Sequence, residues 1–381
     1  GPGNAITLAK TPHLAALRAK CPFGLLQAAG EAVGLTEGTM GGSEVGHFTM
    51  GAGRVVPQFL LTINRDIESG AFFKNKPLAD AFAHVKKITA AAGSSTGGKL
   101  HLLGMISDKG VHSQISHLFA LLEWAKREGL KNVYVHCITD GRDVEERSAK
   151  RYLQQLQTKM AELGVGKIAT LAGRYYTMDR DHNWDRTEKA YRLMTAGEGQ
   201  HFDDPLAAVE HCYAADPKLT DYYLPSILID PKGLVATDDT VIFFNYRTDR
   251  PRQITSAFVD PDFTGFKRVV GTVHFVCMGP YTSNAPIAYP MPEAKNNLAD
   301  CLAQHHIPQL RIAETEKYAH VTYFLNSQIE HAKPLEDRIL VLSPKVPSYA
   351  QKPEMSAPEV TEKVLHALQD GKHQVIIVNY A

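Results

Sequence analysis

The chain has 381 residues, enough for two or three domains with their own cores, and its 41 Lys and Arg balance 41 Asp and Glu. A net charge of zero gives no basic excess that would favour nucleic acid or an anionic membrane, so an anionic substrate would have to be met by local arginines. The five cysteines are scattered and form no C-x-x-C pair, which argues against a disulfide framework or a zinc site. No apolar run approaches the roughly 20 residues of a membrane span, and we expect a cytoplasmic protein.

The first part of the chain predicts helices around one glycine-rich turn. The stretch from Gly41 to His47 surrounds Ser43 with glycines, which let a substrate approach closely. If a helix begins just after this turn, its free N–H groups favour an anion at the serine oxygen. The stretch fits neither G-x-S-x-G nor a Walker loop, and taken alone it fits a plain glycine-rich loop better than a catalytic one. A helix is predicted after it, at residues 56–73.

From Lys99 onward, predicted strands and helices alternate, which indicates α/β units with parallel sheets. The predicted strands lie at 100–106, 133–139, 167–171, 241–245, 269–278, 309–313 and 375–378. The predicted helices lie at 116–127, 146–163, 298–306 and 358–368, and residues 90–98 read as a surface loop. A Pro-rich linker at 285–292 separates two domains. We therefore predict an α/β fold of two domains, each a mainly parallel sheet flanked by helices: 1–57 with 292–381, and 58–291.

Polar clusters follow four of the predicted strands at their carboxyl ends, where ligands bind in parallel α/β sheets. These clusters are Ser107–Ser113, Asp140–Asp143, Ala172–Asp181 and Asn245–Arg250. Arginine offers forked donors that match phosphate and carboxylate geometry, so the four loops together predict an oxyanion cradle. A single Arg–Asp pair is usually only a surface ion pair. Four such loops weaken that interpretation but leave a nucleotide or sugar-phosphate site open.

The same segments resemble the cofactor-independent (2,3-bisphosphoglycerate-independent) phosphoglycerate mutases of the alkaline phosphatase superfamily. Met40–His47 is similar to the family's M-G-N-S-E-V-G-H, with Gly42 in place of the usual Asn. Five further motifs of the family are matched in chain order. They are G-G-V-H-S-H at 109–114, with departures at Lys109 and Gln114, D-G-R-D at 140–143, G-R-Y-Y-x-M-D-R-D at 173–181, N-F-R-x-D-R at 245–250 and E-T-E-K-Y-A-H-V at 314–321. The resemblance covers essentially the whole chain in order. It implies an alkaline-phosphatase-like domain with an inserted substrate domain.

The resemblance also implies a reaction, namely the interconversion of 3- and 2-phosphoglycerate in glycolysis and gluconeogenesis through a phosphoserine. It makes Ser43 the nucleophile and a metal ligand, Asp143 the group that takes and returns the hydroxyl proton, and Lys317 a neighbour of the transferring phosphate. The residues that hold phosphoglycerate would be His112, Arg142, Asp143, Arg174, Arg180, Arg247 and Arg250. Two divalent metal ions are implied, Mn²⁺ first with Mg²⁺ or Co²⁺ as alternatives, and no 2,3-bisphosphoglycerate cofactor. We expect a monomer whose partner is phosphoglycerate, with no nucleic acid and no membrane.

The chain departs from the family pattern at both ends. It starts after the family's D-G-W-G strand and stops before its N-P-D-M-V-G-H and D-H segments, which carry most of the metal ligands. Of the implied ligands only Ser43 is expected here, and the domain formed by 1–57 and 292–381 is expected to be partial. Two further hypotheses therefore stay open: a related metal-dependent phosphatase or phosphomutase, and an inactive substrate-binding fragment.

Overall fold

A computed structural model describes residues 3–4, 8–92 and 98–381. The chain separates into two compact units: unit 1, formed by Gly1–Val56 and Ala294–Ala381, and unit 2, formed by Pro57–Glu293. The sequence-based division places the two boundaries after residues 57 and 291. Each unit contains a mainly or wholly parallel sheet with helices around it, so the predicted α/β class is confirmed.

Helices and strands alternate along most of the described chain. In chain order the helices are α1 (Pro12–Lys20), α2 (Ser43–Ala52), α3 (Phe59–Ser69), α4 (Lys76–Ala92), α5 (Ile115–Arg127), α6 (Ala149–Leu163), α7 (Arg174–Thr177), α8 (Trp184–Ala196), α9 (Pro205–Ala215), α10 (Arg252–Val259), α11 (Leu298–Gln304), α12 (Thr315–Ala319) and α13 (Ala357–Asp370). The strands are β1 (Leu100–Met105), β2 (Val133–Thr139), β3 (Lys167–Gly173), β4 (Gln200–His201), β5 (Ile227–Leu228), β6 (Thr240–Phe243), β7 (His274–Cys277), β8 (Gln309–Glu314), β9 (Glu336–Val341) and β10 (Val375–Asn379). Shorter 3₁₀ or π-helical turns lie at Gly30–Val33, Ala71–Lys74, Asp221–Tyr223, Pro231–Gly233, His320–Phe324 and Tyr349–Gln351.

Two predicted helices are shorter than the sequence indicates, each for a local reason. The helix predicted at 56–73 ends at Ser69, because Gly70 adopts the left-handed conformation, with a φ of 80°. The helix predicted at 146–163 begins only at Ala149, where the Asp221 carboxylate accepts the first free N–H groups.

One predicted strand and one predicted loop also differ. The strand predicted at 269–278 forms ladder pairs only over β7, since the N–H groups of Val269 and Val270 donate to the Tyr191 hydroxyl instead. Helix α4 reaches Ala92, into the loop predicted at 90–98, and residues 93–97 of that loop lie outside the described residues.

Unit 2 is built on a seven-stranded sheet in the order β4-β5-β3-β2-β1-β6-β7, in which only β3 and β5 pair antiparallel. Strands β1, β2 and β6 are buried along their full length. Leu100 and Leu102 pack into one apolar cluster, and Leu103 and Met105 into another, because successive strand side chains point to opposite faces. Two covered faces explain why these strands read as continuous apolar runs.

The strand order of unit 2 creates a point at which ligands typically bind. Strand β1 lies between β2 and β6. The chain first adds β2 and β3 on one side of β1 and later adds β6 and β7 on the other side. In open α/β sheets, ligands bind outside the carboxyl ends of the strands at such a switch point. The polar loops after β1, β2, β3 and β6 all leave this edge.

Unit 1 is built on a three-stranded parallel sheet in the order β10-β8-β9. Strand β8 is fully buried, whereas β10 is half-buried throughout. Helix α2 packs closely on the segment that follows α12, since a Cβ at Gly51 would stand 1.9 Å from the Leu325 carbonyl oxygen. Only glycine fits this approach, which sets the Ser43 segment beside the segment that carries Lys317. Among the described residues, no helix combines the length and apolar composition that a membrane crossing requires.

Candidate active site

Arg174 is the hub of a buried charge cluster at the carboxyl edge of the unit 2 sheet. It follows β3 directly and is only 2% exposed. Its Nη1 donates to Oδ1 of Asp140 and to Oδ2 of Asp143, each at 2.6 Å. Its Nη2 lies 2.8 Å from Nε2 of His112. The structure therefore brings three of the predicted site residues into direct contact.

Arg174 fixes the hydrogen-bonding role of His112. A guanidinium only donates, so Nε2 of His112 must accept, which leaves the ring proton on Nδ1. Burial lowers the pKa of His112 to about 3, with Arg174 and Arg247 adding to the shift, so the ring is neutral near pH 7. The Nδ1 atom is buried and has no hydrogen-bond partner in the structure. His112 thus offers one N–H to an acceptor that a ligand would supply.

Asp143 stands as a carboxylate in this cluster. Partial burial alone would raise its pKa, but the hydrogen bond and charge of Arg174, followed by His112 and Arg247, lower it below the ordinary value. The carboxylate is about one-fifth exposed, and its Oδ2 lies 3.6 Å from Nε2 of His112. A group of this kind can accept a proton from a bound hydroxyl.

Four further arginines surround the cluster with more accessible guanidinium groups. Arg180 and Arg247 are about half-exposed, and both pair with Asp249, at 2.8 and 2.9 Å. Arg142 is exposed. Arg250 donates to the Met178 carbonyl at 3.1 Å, and burial, with Arg174 and Arg180, lowers its pKa. These groups can bind an anion at the site, because they are more accessible than Arg174, whose Nη1 and Nη2 already contact Asp140, Asp143 and His112.

Several residues that organise this site were not predicted from the sequence. Asp140 accepts from Arg174 and from the N–H groups of residues 142 and 143. Asp179 accepts from Asp181, Asn183, Arg186 and Gln253 and so holds the loop that carries Arg180. Asp140 and Asp179 are acidic residues of the motifs D-G-R-D and M-D-R-D. Their place in these motifs is the sequence feature that could have identified them as site residues. Nothing in the sequence indicates Tyr222, whose backbone N would lie 2.5 Å from a Cβ at Gly141.

Ser43 begins helix α2 in unit 1, as the anion-binding interpretation of the turn requires. Its hydroxyl is exposed and lies 3.5 Å from Nδ1 of His47. That Nδ1 is 2.7 Å from the Ser43 carbonyl oxygen, and Nε2 of His47 is 2.8 Å from the Asn379 amide nitrogen. Gly42 precedes the helix, and a Cβ built there meets nothing within 4 Å. Space for a side chain therefore exists where the family usually has Asn.

Lys317 lies in α12, directly after β8, and is half-buried. The ring of His320, one turn further on, stands 5.2 Å from the ring of His47. The two predicted residues of unit 1 thus lie on adjoining segments. The other predicted residues lie in unit 2.

The resemblance implies two metal ions, which need a cluster of ligating side chains. Among the described residues, no group of three or more His, Cys, Asp or Glu side chains is arranged to hold a metal ion. Of the metal ligands that the family resemblance implies, Ser43 is present among the described residues. The residues present therefore do not form the two-metal set that the resemblance implies.

The chain matches proteins of one kind over its whole length. Residues 63–283 match the family described as BPG-independent PGAM N-terminus (iPGM_N). A relative named 2,3-bisphosphoglycerate-independent phosphoglycerate mutase, from Moorella thermoacetica, is 47% identical over 389 residues, which cover 100% of this chain and 74% of the relative. A relative of the same name from Methanococcoides burtonii is 48% identical over 387 residues, covering 100% and 73%. The chain belongs to the 2,3-bisphosphoglycerate-independent phosphoglycerate mutase family.

A solved structure of this kind also matches. It is reported as "Crystal structures of Leishmania mexicana phosphoglycerate mutase at low cobalt concentration", and it is 32% identical with a TM-score of 0.66. The match covers 98% of this chain and 70% of that one. The family resemblance read from the motifs, and with it the prediction of an enzyme, is confirmed.

Proposed function

We propose that the chain is a phosphoglycerate mutase that interconverts 3- and 2-phosphoglycerate through a phosphoserine at Ser43. The observation that carries this proposal is the cluster around Arg174. It holds one carboxylate, Asp143, and one neutral N–H donor, His112, beside arginines that can still bind an anion. The names of the relatives support the same reaction.

The proposed reaction runs in two balanced transfers. In the first, a bond forms between Oγ of Ser43 and phosphorus while the ester bond between phosphorus and the glycerate oxygen breaks. The proton that Ser43 gives up passes to water, and the departing glycerate oxygen takes up one proton, which reaches it from water by way of the Asp143 carboxylate. In the second, Asp143 takes the proton of the other glycerate hydroxyl, whose oxygen bonds to phosphorus while the bond between phosphorus and Oγ of Ser43 breaks. Ser43 regains a proton from water, and Asp143 returns its proton to water. Covalent catalysis of this kind divides one difficult isomerisation into two transfers.

Retention of glycerate between the transfers is the task we assign to unit 2. Arg180, Arg247 and Arg142 would bind the carboxylate or phosphate by forked hydrogen bonds. His112 would donate its Nδ1 proton, and Lys317 in unit 1 would stand by the phosphate on Ser43. Holding the intermediate this way favours return of the phosphoryl group over its loss to water.

Metal dependence belongs to the proposal as an implication of the family resemblance. Because the described side chains do not assemble a metal site, the phosphoryl and proton steps are assigned here to residues of the chain itself. Turnover of metal-free full chain, measured before and after adding Mn²⁺, Mg²⁺ or Co²⁺, tests the metal and its identity. We also propose a cytoplasmic monomer, and light scattering tests the monomer.

The experiment for the reaction compares two hydroxyl deletions on one helix. Ser43→Ala removes the proposed nucleophile, whereas Thr49→Val removes another hydroxyl of α2 with little change of shape. With 3-phosphoglycerate and the full chain, we expect Ser43→Ala to lose turnover by a factor on the order of 10⁴ or more, and Thr49→Val to keep it. The appearance of 2-phosphoglycerate is followed by NMR.

Two results would contradict the proposal. One is turnover that Ser43→Ala leaves unchanged. The other is release of inorganic phosphate faster than isomerisation, which would favour the related phosphatase.

A further inference from the structure

Asp140 occupies an unusual position in the Arg174 cluster. It follows β2, is 2% exposed, and has no role implied by the motifs. Its Oδ1 accepts three hydrogen bonds: from Nη1 of Arg174 at 2.6 Å, from the Asp143 N–H at 3.1 Å and from the Arg142 N–H at 3.2 Å. One oxygen thus joins the guanidinium hub to the backbone of the loop that presents Asp143.

We propose that Asp140 is a positioning residue that sets both the place and the basicity of the Asp143 carboxylate by sharing a single guanidinium nitrogen with it. The proposal rests on the proposed function, because it concerns the proton acceptor of that reaction. Asp140 itself is buried behind the loop and is not expected to touch the substrate.

The loop that carries Asp143 is held from two sides. Asp140 accepts the N–H groups of residues 142 and 143, which fixes the turn from inside. On the other side, Gly141 has a φ of 61° and no room for a side chain, since a Cβ would lie 2.5 Å from the backbone N of Tyr222. The loop therefore has little freedom, and the Asp143 carboxylate stays where Arg174 meets it.

The shared nitrogen also affects the charge around Asp143. Nη1 of Arg174 carries two hydrogens, and one goes to Asp140 and the other to Asp143, each at 2.6 Å. The groups that lower the pKa of Asp143 are Arg174, His112 and Arg247, and Asp140 shares Nη1 of Arg174 with it. Asp140 takes up part of the guanidinium charge and repels the anion of Asp143. Both effects make Asp143 a stronger base than it would be beside Arg174 alone.

The test substitutes Asp140→Asn, which keeps the shape of the side chain and removes its charge. The matched control is Asp179→Asn, since Asp179 is also a buried carboxylate (5% exposed) that organises a neighbouring loop, but it has no hydrogen bond to Arg174 or Asp143. The full chain is labelled with ¹³C at the aspartate carboxyl carbons. The Asp143 resonance is identified by its absence in Asp143→Asn and is titrated with pH.

We expect Asp140→Asn to lower the titration midpoint of Asp143 by about one pH unit. We expect Asp179→Asn to leave that midpoint in place, even though it loosens its own loop. In the same samples, kcat of Asp140→Asn near neutral pH should fall on the order of tenfold, and its acidic limb should move to lower pH with the midpoint. Tryptophan fluorescence confirms that each variant is folded.

The inference is overturned if the Asp143 midpoint is the same in wild type and Asp140→Asn, or if Asp179→Asn moves it equally. This readout does not require turnover. If Asp140→Asn shifts the Asp143 midpoint as expected but the wild-type chain does not isomerise phosphoglycerate, the proposed function is refuted and the role of Asp140 stands. If the wild-type chain isomerises phosphoglycerate but Asp140→Asn leaves the Asp143 midpoint unchanged, the role of Asp140 is refuted and the proposed function stands.

Discussion

Unit 2 covers its apolar strands, whereas unit 1 leaves much of its apolar surface in contact with water. Strands β1, β2 and β6 of unit 2 are buried at every residue, but β10 of unit 1 is half-buried at every residue. Of the large apolar side chains that are exposed among residues 3–4, 8–92 and 98–381, only Tyr223, Val269 and Met291 belong to unit 2. In unit 1, Leu25 and Leu26 are 88% and 92% exposed.

An apolar run in a sequence usually predicts both that a strand forms and that the strand is buried. In this chain the two properties do not always occur together. Val375–Val378 and Leu100–Met105 are both apolar runs, and both form strands, yet only the second is covered on both faces. Since burial is worth roughly 25 cal/mol per Å² of apolar surface, a strand of unit 1 gains less from folding than a strand of unit 2. The same side-chain change should therefore have different consequences in the two units, and the two tryptophans, Trp124 and Trp184, report on unit 2 alone.

The largest contrast is expected between two ion pairs. Arg174→Met in unit 2 leaves the Asp140 and Asp143 carboxylates without their shared partner, which should lower the free energy of unfolding by about 3–5 kcal/mol. Lys372→Met in unit 1 removes an exposed pair with Asp337, which should cost less than about 1 kcal/mol because water screens it. Urea unfolding followed by tryptophan fluorescence measures the first, and hydrogen exchange of β10 and β9 measures the second. Equal losses would contradict the contrast.

The next contrast is between two leucines. Leu121 on α5 is fully buried, and Leu121→Ala should lower the free energy of unfolding of unit 2 by about 2–5 kcal/mol, through lost burial and the cavity that remains. Leu342 in unit 1 is 69% exposed, and Leu342→Ala should change the stability by less than about 0.5 kcal/mol. Urea unfolding and hydrogen exchange measure the pair as before. A loss above 2 kcal/mol for the Leu342 variant would show that this surface is covered in solution.

A further effect is a dependence of unit 2 on pH. His117 is buried, with Nε2 2.8 Å from the Asn64 oxygen, and burial lowers its pKa to about 3. Burial also lowers the pKa values of His101 and His136, which hydrogen-bond each other in the core. Each ring therefore binds a proton less readily in the folded chain than in the unfolded chain. Stability is therefore full above about pH 6.5 and falls as the pH drops below it. For His117 the fall continues toward pH 3, by up to about 1.4 kcal/mol per pH unit.

The variant His117→Gln isolates one of these protons. It should make the fall of the free energy of unfolding between pH 6 and pH 4 less steep, whereas His305→Gln, at an exposed site in unit 1, should not change it. The measurement is a series of urea titrations across this pH range, followed by tryptophan fluorescence. An unchanged slope in His117→Gln would mean that this ring is already protonated in the folded state.

The sequence was sufficient for β1, β2, β3 and β6 of unit 2 and for the loops that follow them, because two covered faces and a switch point impose an unambiguous pattern. It did not indicate the two-residue strands β4 and β5. It failed for β9, whose first residues, Glu336, Asp337 and Arg338, are charged. The structure shows why they are accepted there: the buried Glu336 carboxylate is satisfied by Arg338 and by the Asn326 amide. Arg311, likewise, lies fully buried inside a strand that was predicted from its apolar neighbours.

The same limit applies to the candidate site. The motifs supplied the residue types around Arg174, but not which of the arginines are already occupied. Arg174 was predicted to hold substrate, yet its Nη1 and Nη2 contact Asp140, Asp143 and His112. Asp249 was not predicted, because its pairing with Arg180 joins loops 69 residues apart in the chain. Such pairings depend on which strands are neighbours, and spacing along the chain does not carry that information.

The decisive measurement is to trap the covalent intermediate. The full chain is mixed with 3-phosphoglycerate, quenched in acid within the first turnovers, digested, and analysed by peptide mass spectrometry. The proposed function predicts a phosphoryl group on Ser43, which disappears in Ser43→Ala. Conversion to 2-phosphoglycerate with no phosphoryl group on Ser43 at any time would contradict it.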